Sequence, residues 1–457
     1  MNIIPDDVIK LIKMLNDNGY EAYLVGGCVR DMLMGTVPHD WDMCTNATPE
    51  EIKETMKLNN VYNFDSGIKH GTITAVLNKE NYEITTYRSE TGYSDGRHPD
   101  KVDFVKDIHE DLKRRDLTIN ALAYNPVSGE LIDDYFGKCD LNMRVIKCVG
   151  DARDRFTEDS LRILRALRFA IKYQWRIDDD TAKAMHELKD ELNKISKERI
   201  TQELEKMLTC GKPIKHYFIE FSDIISVIIP EIKACINFDQ NNKYHSHDVY
   251  EHMLYVTDYC DTTDFTIKLA ALLHDIGKPD TYVTDDEGHG HFYGHPKVSR
   301  DITEEVLRKD LRCSTEQMES ILKLVEFHDM DIAKTKASVK RALNKLGETL
   351  LRKWFILKEA DKLDHIHLED WKNDTDLDKV KETLEAVIES MDCFKITDLA
   401  IDGNYLIREL GLKPGKKIGY ILKELLEKVI NDETLDNTVE TLDKIARELS
   451  LEYDNLS

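Results

Sequence analysis

The chain has 457 residues, 41% hydrophobic and 33% charged, with a formal charge of −24 from 63 basic and 87 acidic side chains. At roughly 100–200 residues per domain this length predicts two to four domains, and no apolar run approaches the roughly 18 residues that a membrane helix needs. The acidic balance argues against a general nucleic-acid coat, because nonspecific affinity for phosphate rests on Lys and Arg.

The first twenty residues interleave acids and lysines with Ile and Leu. They predict an amphipathic helix rather than a secretory signal, and a cytoplasmic protein. Nine cysteines, scattered from Cys28 to Cys393 with no C-x-x-C pair, fit neither a disulfide framework nor a thiolate zinc site. Short β-branched or alternating runs at 23–25, 72–77, 82–87, 102–105 and 121–124 are punctuated by Gly, Asn and Pro, which predicts a small mixed sheet with helices on it. Beyond residue 140 nearly every window has helical period, as at 158–173, 199–208, 249–259, 265–276, 317–327, 349–360 and 416–430. The expected architecture is multidomain α+β: a small mixed-sheet head at 1–140, a helical neck at 141–210, a helical body at 211–370 and a helical tail at 371–457. One stretch is locally basic: residues 141–176 carry nine Lys/Arg against four Asp/Glu, net +5.

The segment LVGGCVRDMLMG (24–35) reads as a strand running into Gly26-Gly27 and then a helix, a turn that lets backbone approach an anion. In PHDWDMCTNATPEEI (38–52) Asp40 and Asp42 flank Trp41. On a strand the period of two aims both carboxylates at one face. Two ionised carboxylates side by side need a shared cation, and hard oxygen ligands beside a phosphate seat suggest Mg²⁺. The plainer reading of the same tripeptide is a solvated turn.

G-G-x-V-R-D-x-L-x-G followed by D-x-D and T-N-A-T resembles the polymerase-β-like nucleotidyltransferases that build the CCA end of tRNA, and their relatives the bacterial poly(A) polymerases. The resemblance covers most of residues 20–210. It implies Asp40, Asp42 and Glu83 (in YEITTYR, 82–88) as catalytic acids, with Asp40 and Asp42 on Mg²⁺. It places Gly26, Gly27, Arg30 and Arg88 around the triphosphate, and Arg115, Asp116 and Asn120 (in DLKRRDLTINALAYN, 111–125) on ribose and triphosphate. It also identifies GYSDGRHPDKV (92–102) with the family's flexible loop. Read alone, Lys113 to Arg115 would be a solvated basic turn.

In RFTEDSLRILRALRFA (155–170), Asp159, Arg162 and Arg165 recur at i, i+3, i+6, with Arg168 and Lys172 continuing the row, while Leu161, Leu164, Leu167 and Ile171 take another helix face. Cytosine and adenine both offer an exocyclic amino donor beside a ring-nitrogen acceptor; uracil and guanine offer a carbonyl beside an N–H. A carboxylate beside a guanidinium matches the first pattern, since Asp only accepts and Arg only donates. The resemblance gives this block that selecting role, and the bland alternative is an i, i+3 salt bridge. ISKERITQELEKML (195–208) reads as an amphipathic structural helix.

Downstream, His252, His274-Asp275 and Asp361 occur in the order H…HD…D, with His295 and His328 between. This resembles the HD phosphohydrolases, which implies one divalent metal on His252, His274, Asp275 and Asp361, and a second ion or substrate at His295 and His328. Mixed imidazole and carboxylate ligands suit transition metals as well as Mg²⁺. In the tail, Gly411, Pro414, Gly415 and Gly419 with Lys413, Lys416 and Lys417 read either as a capped helix hairpin or as an RNA phosphate contact.

The expected activity is template-independent addition of C and A, from CTP and ATP, to the tRNA 3′ end. A poly(A) polymerase or A-only enzyme is the near alternative; an HD metal-dependent phosphohydrolase with a nucleotide-binding head is the distant one. No protein partner or membrane is expected.

Overall fold

The computed structural model describes residues 3–67, 71–91, 101–241, 247–364, 377–390, 392–432 and 434–456, so most of the expected flexible loop at 92–102 lies outside the described residues. The chain divides into two compact units: Met1–Lys233 with Glu305–Cys313, and Ala234–Glu304 with Ser314–Ser457.

In the first unit, helix α1 (Asp6–Asp17) buries Val8, Leu11, Ile12 and Leu15, spaced as one helix face, and places Asp6 and Asp7 in its first turn, where carboxylates suit the helix dipole. Strand β1 (Ala22–Val25) enters α2 (Gly27–Leu33) through Gly26. Strand β2 (Met43–Thr45) precedes α3 (Pro49–Leu58), whose start is set by a Thr48–Glu51 capping box and Pro49. Strands β3 (Tyr62–Gly67), β4 (Thr72–Leu77) and β5 (Glu80–Thr86) form a meander. A separate ribbon joins β6 (Arg88–Thr91) and β7 (Lys101–Phe104) before α4 (Ile108–Lys113). Short strands β8 (Ala123–Tyr124) and β9 (Leu131–Ile132) complete a seven-stranded mixed sheet of order β3-β4-β5-β2-β1-β8-β9, in which only the β2–β5 pair is parallel among the pairs described. Tyr23, Val25, Cys44, Tyr87, Ile108, Leu112 and Ala123 form one of its core clusters.

Helix α5 (Gly137–Met143) leads to β10 (Val145–Ile146), which pairs in parallel with β11 (Arg176–Ile177). Between them lie α6 (Ala152–Glu158) and α7 (Leu161–Tyr173). The helix expected over 158–173, with Asp159 on its face, therefore begins only at Leu161 and leaves Asp159 outside it. Asp159 is extended, with φ −141° and ψ 102°, and its carboxylate accepts from the Leu161 amide. That local hydrogen bond competes with helix continuation. The unit continues with α8 (Asp179–Leu188), α9 (Lys197–Leu208), α10 (Lys215–Glu220) and α11 (Ser222–Ile228).

The second unit is helical: α12 (Val249–Tyr259), α13 (Phe265–Leu273), α14 (Lys278–Thr281), a small hairpin of β12 (Val283–Thr284) and β13 (Gly290–His291), and α15 (His295–Lys309), whose residues from Glu305 belong to the first unit. Then come α16 (Thr315–Phe327), α17 (Lys336–Leu346), α18 (Glu348–Leu363), α19 (Leu377–Glu389), α20 (Gly403–Leu410), α21 (Lys416–Asn431) and α22 (Val439–Leu456). Helix α13 is apolar nearly all round and buried throughout, as expected of a helix at the centre of a bundle. In the tail, Gly411 ends α20 at φ +67°, and Lys417 pairs with Asp454 at 2.7 Å. No helix among the described residues is long and apolar enough to cross a membrane.

Candidate active site

Asp40 and Asp42 do not lie within a strand: β2 begins at Met43, and Asp40 sits in a bend ahead of it. The Asp42 carbonyl still accepts from the Val25 amide at 3.0 Å, so the sheet ladder reaches that far. Strands β2 and β5 are parallel with Met43 opposite Ile84, which sets Asp42 level with Glu83. Adjacent strands lie about 4.8 Å apart. Burial, Glu83 and Asp40 push the Asp42 carboxyl up, while Arg115 opposes them. Asp40 points outward, its side chain 85% exposed and 3.2 Å from His39 Nδ1.

Asp42 and Glu83 form one wall of a cleft of about 220 Å³ whose other wall carries Arg88, Arg114 and Arg115. The arginines are set by Asp111, which is 1% exposed. One carboxylate oxygen accepts from Arg114 at 2.7 and 3.0 Å and the other from Arg115 at 3.1 Å. Burial opposes the charged form of Asp111, yet the two guanidinium groups hold its carboxyl below the usual range. Arg115 Nε is buried with no acceptor among the described residues, as a guanidinium awaiting an anion would be. Gly26 has φ +74°, a conformation that side chains rarely adopt, so the turn requires glycine, and Arg115 Nη1 lies close beside it.

The remaining expected residues form a network beside the cleft. Arg30 is buried and donates to Asn120 Oδ1 at 2.6 Å, with Phe169 and Tyr173 rings 5.3 and 5.5 Å from its guanidinium carbon. Asn120 donates to Asp116 at 3.2 Å, and Arg165 donates to Asp116 at 2.6 and 2.8 Å. Gly27 lies against Arg30.

The side chains of Asp159 and Arg162 are each held by another partner, although the Arg162 amide donates to the Asp159 carbonyl at 3.0 Å. Arg199 on α9 grips Asp159 at 3.0 and 3.3 Å, whereas Arg162 donates to Glu158 at 2.8 Å and to the Arg114 carbonyl at 2.9 Å. Arg168 goes to Glu203, so the three arginines of the row on α7 are each paired with a carboxylate. Asp111, Glu158 and Arg199 are the residues that sequence reasoning missed. For Asp111 a signal existed, because it precedes Arg114 and Arg115 by three and four residues.

The histidine cluster of the second unit also assembles. His252, His274 and Asp275 form one group of ligand atoms within 4.8 Å, and Asp275, His295 and His328 another; these are the candidate metal groups among the described residues. Asp361 Oδ1 lies 3.3 Å from His252 Nε2 and 3.8 Å from His274 Nε2. Every Nε2 faces inward because every Nδ1 is engaged: His252 with Asp364 at 2.8 Å, His274 with the Ala271 carbonyl, His295 with that of Phe292, and His328 with that of Val325. Asp275 Oδ2 lies 3.2 Å from both His252 and His274, while its buried Oδ1 has no hydrogen-bond partner and faces His295 at 3.1 Å and His328 at 3.4 Å. Lys278 closes on Asp275 Oδ2 at 2.6 Å.

Comparison with known proteins agrees with the α+β head and helical remainder. The family profile for the Poly A polymerase head domain matches residues 22–147, one for an RNA and SrmB-binding site of polymerase A matches 175–235, and one for tRNA nucleotidyltransferase domain 2 matches 297–446. The CCA-adding enzyme of Lactobacillus delbrueckii subsp. bulgaricus is 49% identical over 211 residues, covering 46% of this chain and about half (52%) of that protein. That of Lactobacillus helveticus is 32% identical over 450 residues, 98% of each chain. This chain belongs to the CCA-adding enzyme family. Among solved CCA-adding enzymes, that of Bacillus stearothermophilus in complex with CTP superimposes with a TM-score of 0.69 at 23% identity, covering 98% of both chains. That of Thermotoga maritima complexed with tRNA gives 0.59 at 21% identity, covering 98% of this chain and 97% of that one.

Proposed function

We propose that this protein adds C and A nucleotides, taken from CTP and ATP, to the 3′ end of tRNA without a template. The observation that carries the reading is that Asp42, just ahead of β2, lies level with Glu83 on β5 and that both line one cleft with Arg88, Arg114 and Arg115. The relatives' names and the solved complexes with CTP, ATP and tRNA support it.

The donor set of Asp40, Asp42 and Glu83 is wholly carboxylate oxygen, and burial, with Glu83 and Asp40 nearby, pushes the Asp42 carboxyl up, which fits a hard divalent cation. Bound there, Mg²⁺ would lower the pKa of the RNA 3′-hydroxyl and offset charge developing at the α-phosphate. Arg88 and Arg115, with Asp111 fixing the latter, receive the triphosphate and stabilise the departing pyrophosphate. Arg30, Asn120, Asp116 and Arg165 tie the Gly26-Gly27 turn to α7, so the triphosphate seat and the base-reading helix are held in one frame. Asp159 accepts from the exocyclic amino group of cytosine or adenine, and Arg162 donates to the neighbouring ring nitrogen; uracil and guanine present the reverse pattern. The test is to offer tRNA transcripts ending before CCA, or after CC, with each nucleotide singly, and to sequence the 3′ ends. Ordered C, C, A addition supports the reading, whereas repeated A on arbitrary RNA marks a poly(A) polymerase.

The second unit supports a second, separate site. Four inward imidazole nitrogens with Asp275 and Asp361 suit one divalent transition metal on His252, His274, Asp275 and Asp361. The unpartnered Asp275 Oδ1 facing His295 and His328 suits a second ion. Whether this site hydrolyses a phosphate ester is tested by phosphatase assay with Mn²⁺ or Ni²⁺ added singly.

A further inference from the structure

A second groove, of about 840 Å³, opens on the other side of the acids, and Asp42 and Glu83 line both. Its floor is set by register. Phe64 on β3 stands opposite Thr74 on β4, and Thr74 opposite Glu83 on β5, so Glu83, Thr74 and Phe64 form one row across three adjacent strands, with Asp42, just ahead of β2, level with Glu83. Thr74 donates its hydroxyl proton to Ser66 at 2.7 Å, and Phe64 is 41% exposed at the far end. Trp41, between the two aspartates, lines the same groove. The two clefts differ in charge: Arg88, Arg114 and Arg115 line the first, whereas no lysine or arginine is among the described residues lining the second.

Phosphoryl transfer places the attacking and leaving oxygens in line, on opposite sides of the reacting phosphorus. With the triphosphate on the arginine side, the attacking hydroxyl enters from the other. A groove whose described lining carries carboxylates and neither lysine nor arginine repels phosphates, so what it admits is the nucleoside at the chain end. Two strand spacings, about 10 Å, separate Glu83 from Phe64, roughly the span of one nucleoside. We propose that this strip seats the 3′-terminal nucleoside of the acceptor RNA, with its ribose over Thr74 and its base stacked on Phe64. Stacking accepts any base, as a surface must when the terminal residue changes with each addition. The proposal rests on the nucleotide-adding reading above.

The experiment is steady-state incorporation of CMP into a tRNA transcript lacking CCA, with wild type, Phe64→Ala and Phe64→Trp. Phe64→Ala should raise KM for the transcript about tenfold, the scale of one lost base–aromatic stack, and leave KM for CTP unmoved. Phe64→Trp should restore the transcript KM. Because the groove meets no phosphate, the ratio of the two transcript KM values should be the same at low and high salt. An unchanged transcript KM in Phe64→Ala, or failure of Phe64→Trp to recover it, overturns the seat while leaving the activity standing. A wild-type protein that transfers nothing to any transcript overturns the activity itself, and the seat with it.

Discussion

Arg199, on a helix that carries no other expected site residue, closes both terminal nitrogens on the two carboxylate oxygens of Asp159, at 3.0 and 3.3 Å. A bidentate pair fixes the plane as well as the place of a carboxylate. Asp159 lies in the extended break between α6 and α7, outside both helices, so its side chain depends on a tertiary partner for its orientation.

Arg199→Ala should therefore loosen base choice rather than abolish transfer. We expect the preference for CTP over UTP to fall about tenfold, the scale of one misplaced hydrogen bond to a charged group, with KM for tRNA unchanged. Single-nucleotide incorporation with each triphosphate measures it.

Asp42→Asn should abolish incorporation and yet stabilise the fold. Burial, Glu83 and Asp40 raise the folded-state pKa of Asp42 above its ordinary 3.8. Its ionised form therefore weakens the fold at neutral pH, and the penalty disappears as pH falls through the raised value toward the unfolded one. Thermal melts should show a higher Tm for Asp42→Asn at pH 7 and a smaller difference near pH 4.

Asp116 has the opposite sign. Burial pushes its carboxyl up, but Arg165 and the Asn120 and Leu117 hydrogen bonds hold it far below the usual range. Its contribution is present above the unfolded pKa and is lost as pH falls through the depressed folded one. Asp116→Asn leaves Arg165 without its partner and should cost about 3 kcal/mol, read by urea denaturation at pH 7.

Asp364→Asn should lower divalent-metal affinity of the second unit about 10- to 100-fold, because Asp364 orients His252 through Nδ1. Competition with a chelating dye measures the affinity. CMP incorporation should be unchanged, since Asp364 belongs to the histidine cluster and not to the acid cleft.

The acids and the glycine turn stood out in the sequence by residue type and spacing, whereas the arginine block and the ordered histidines stood out by their resemblance to known families. Helical period likewise marked the core faces of α1, α7 and α13. The break at Asp159 was not legible, since a helix-compatible run hides a local hydrogen bond that stops it. Nor were the counter-ions: Asp159 could have paired with Arg162 three residues away, yet Arg199 and Glu158 took those roles.

Sequence alone determined which atoms the protein has available for chemistry. Packing decided which of them meet. Asp116 and Arg165, or Phe64 and Glu83, are far apart along the chain, and local periodicity constrains only neighbours three or four residues away. Contacts over longer separations depend on strand register and on how helices settle against the sheet, which no single segment encodes.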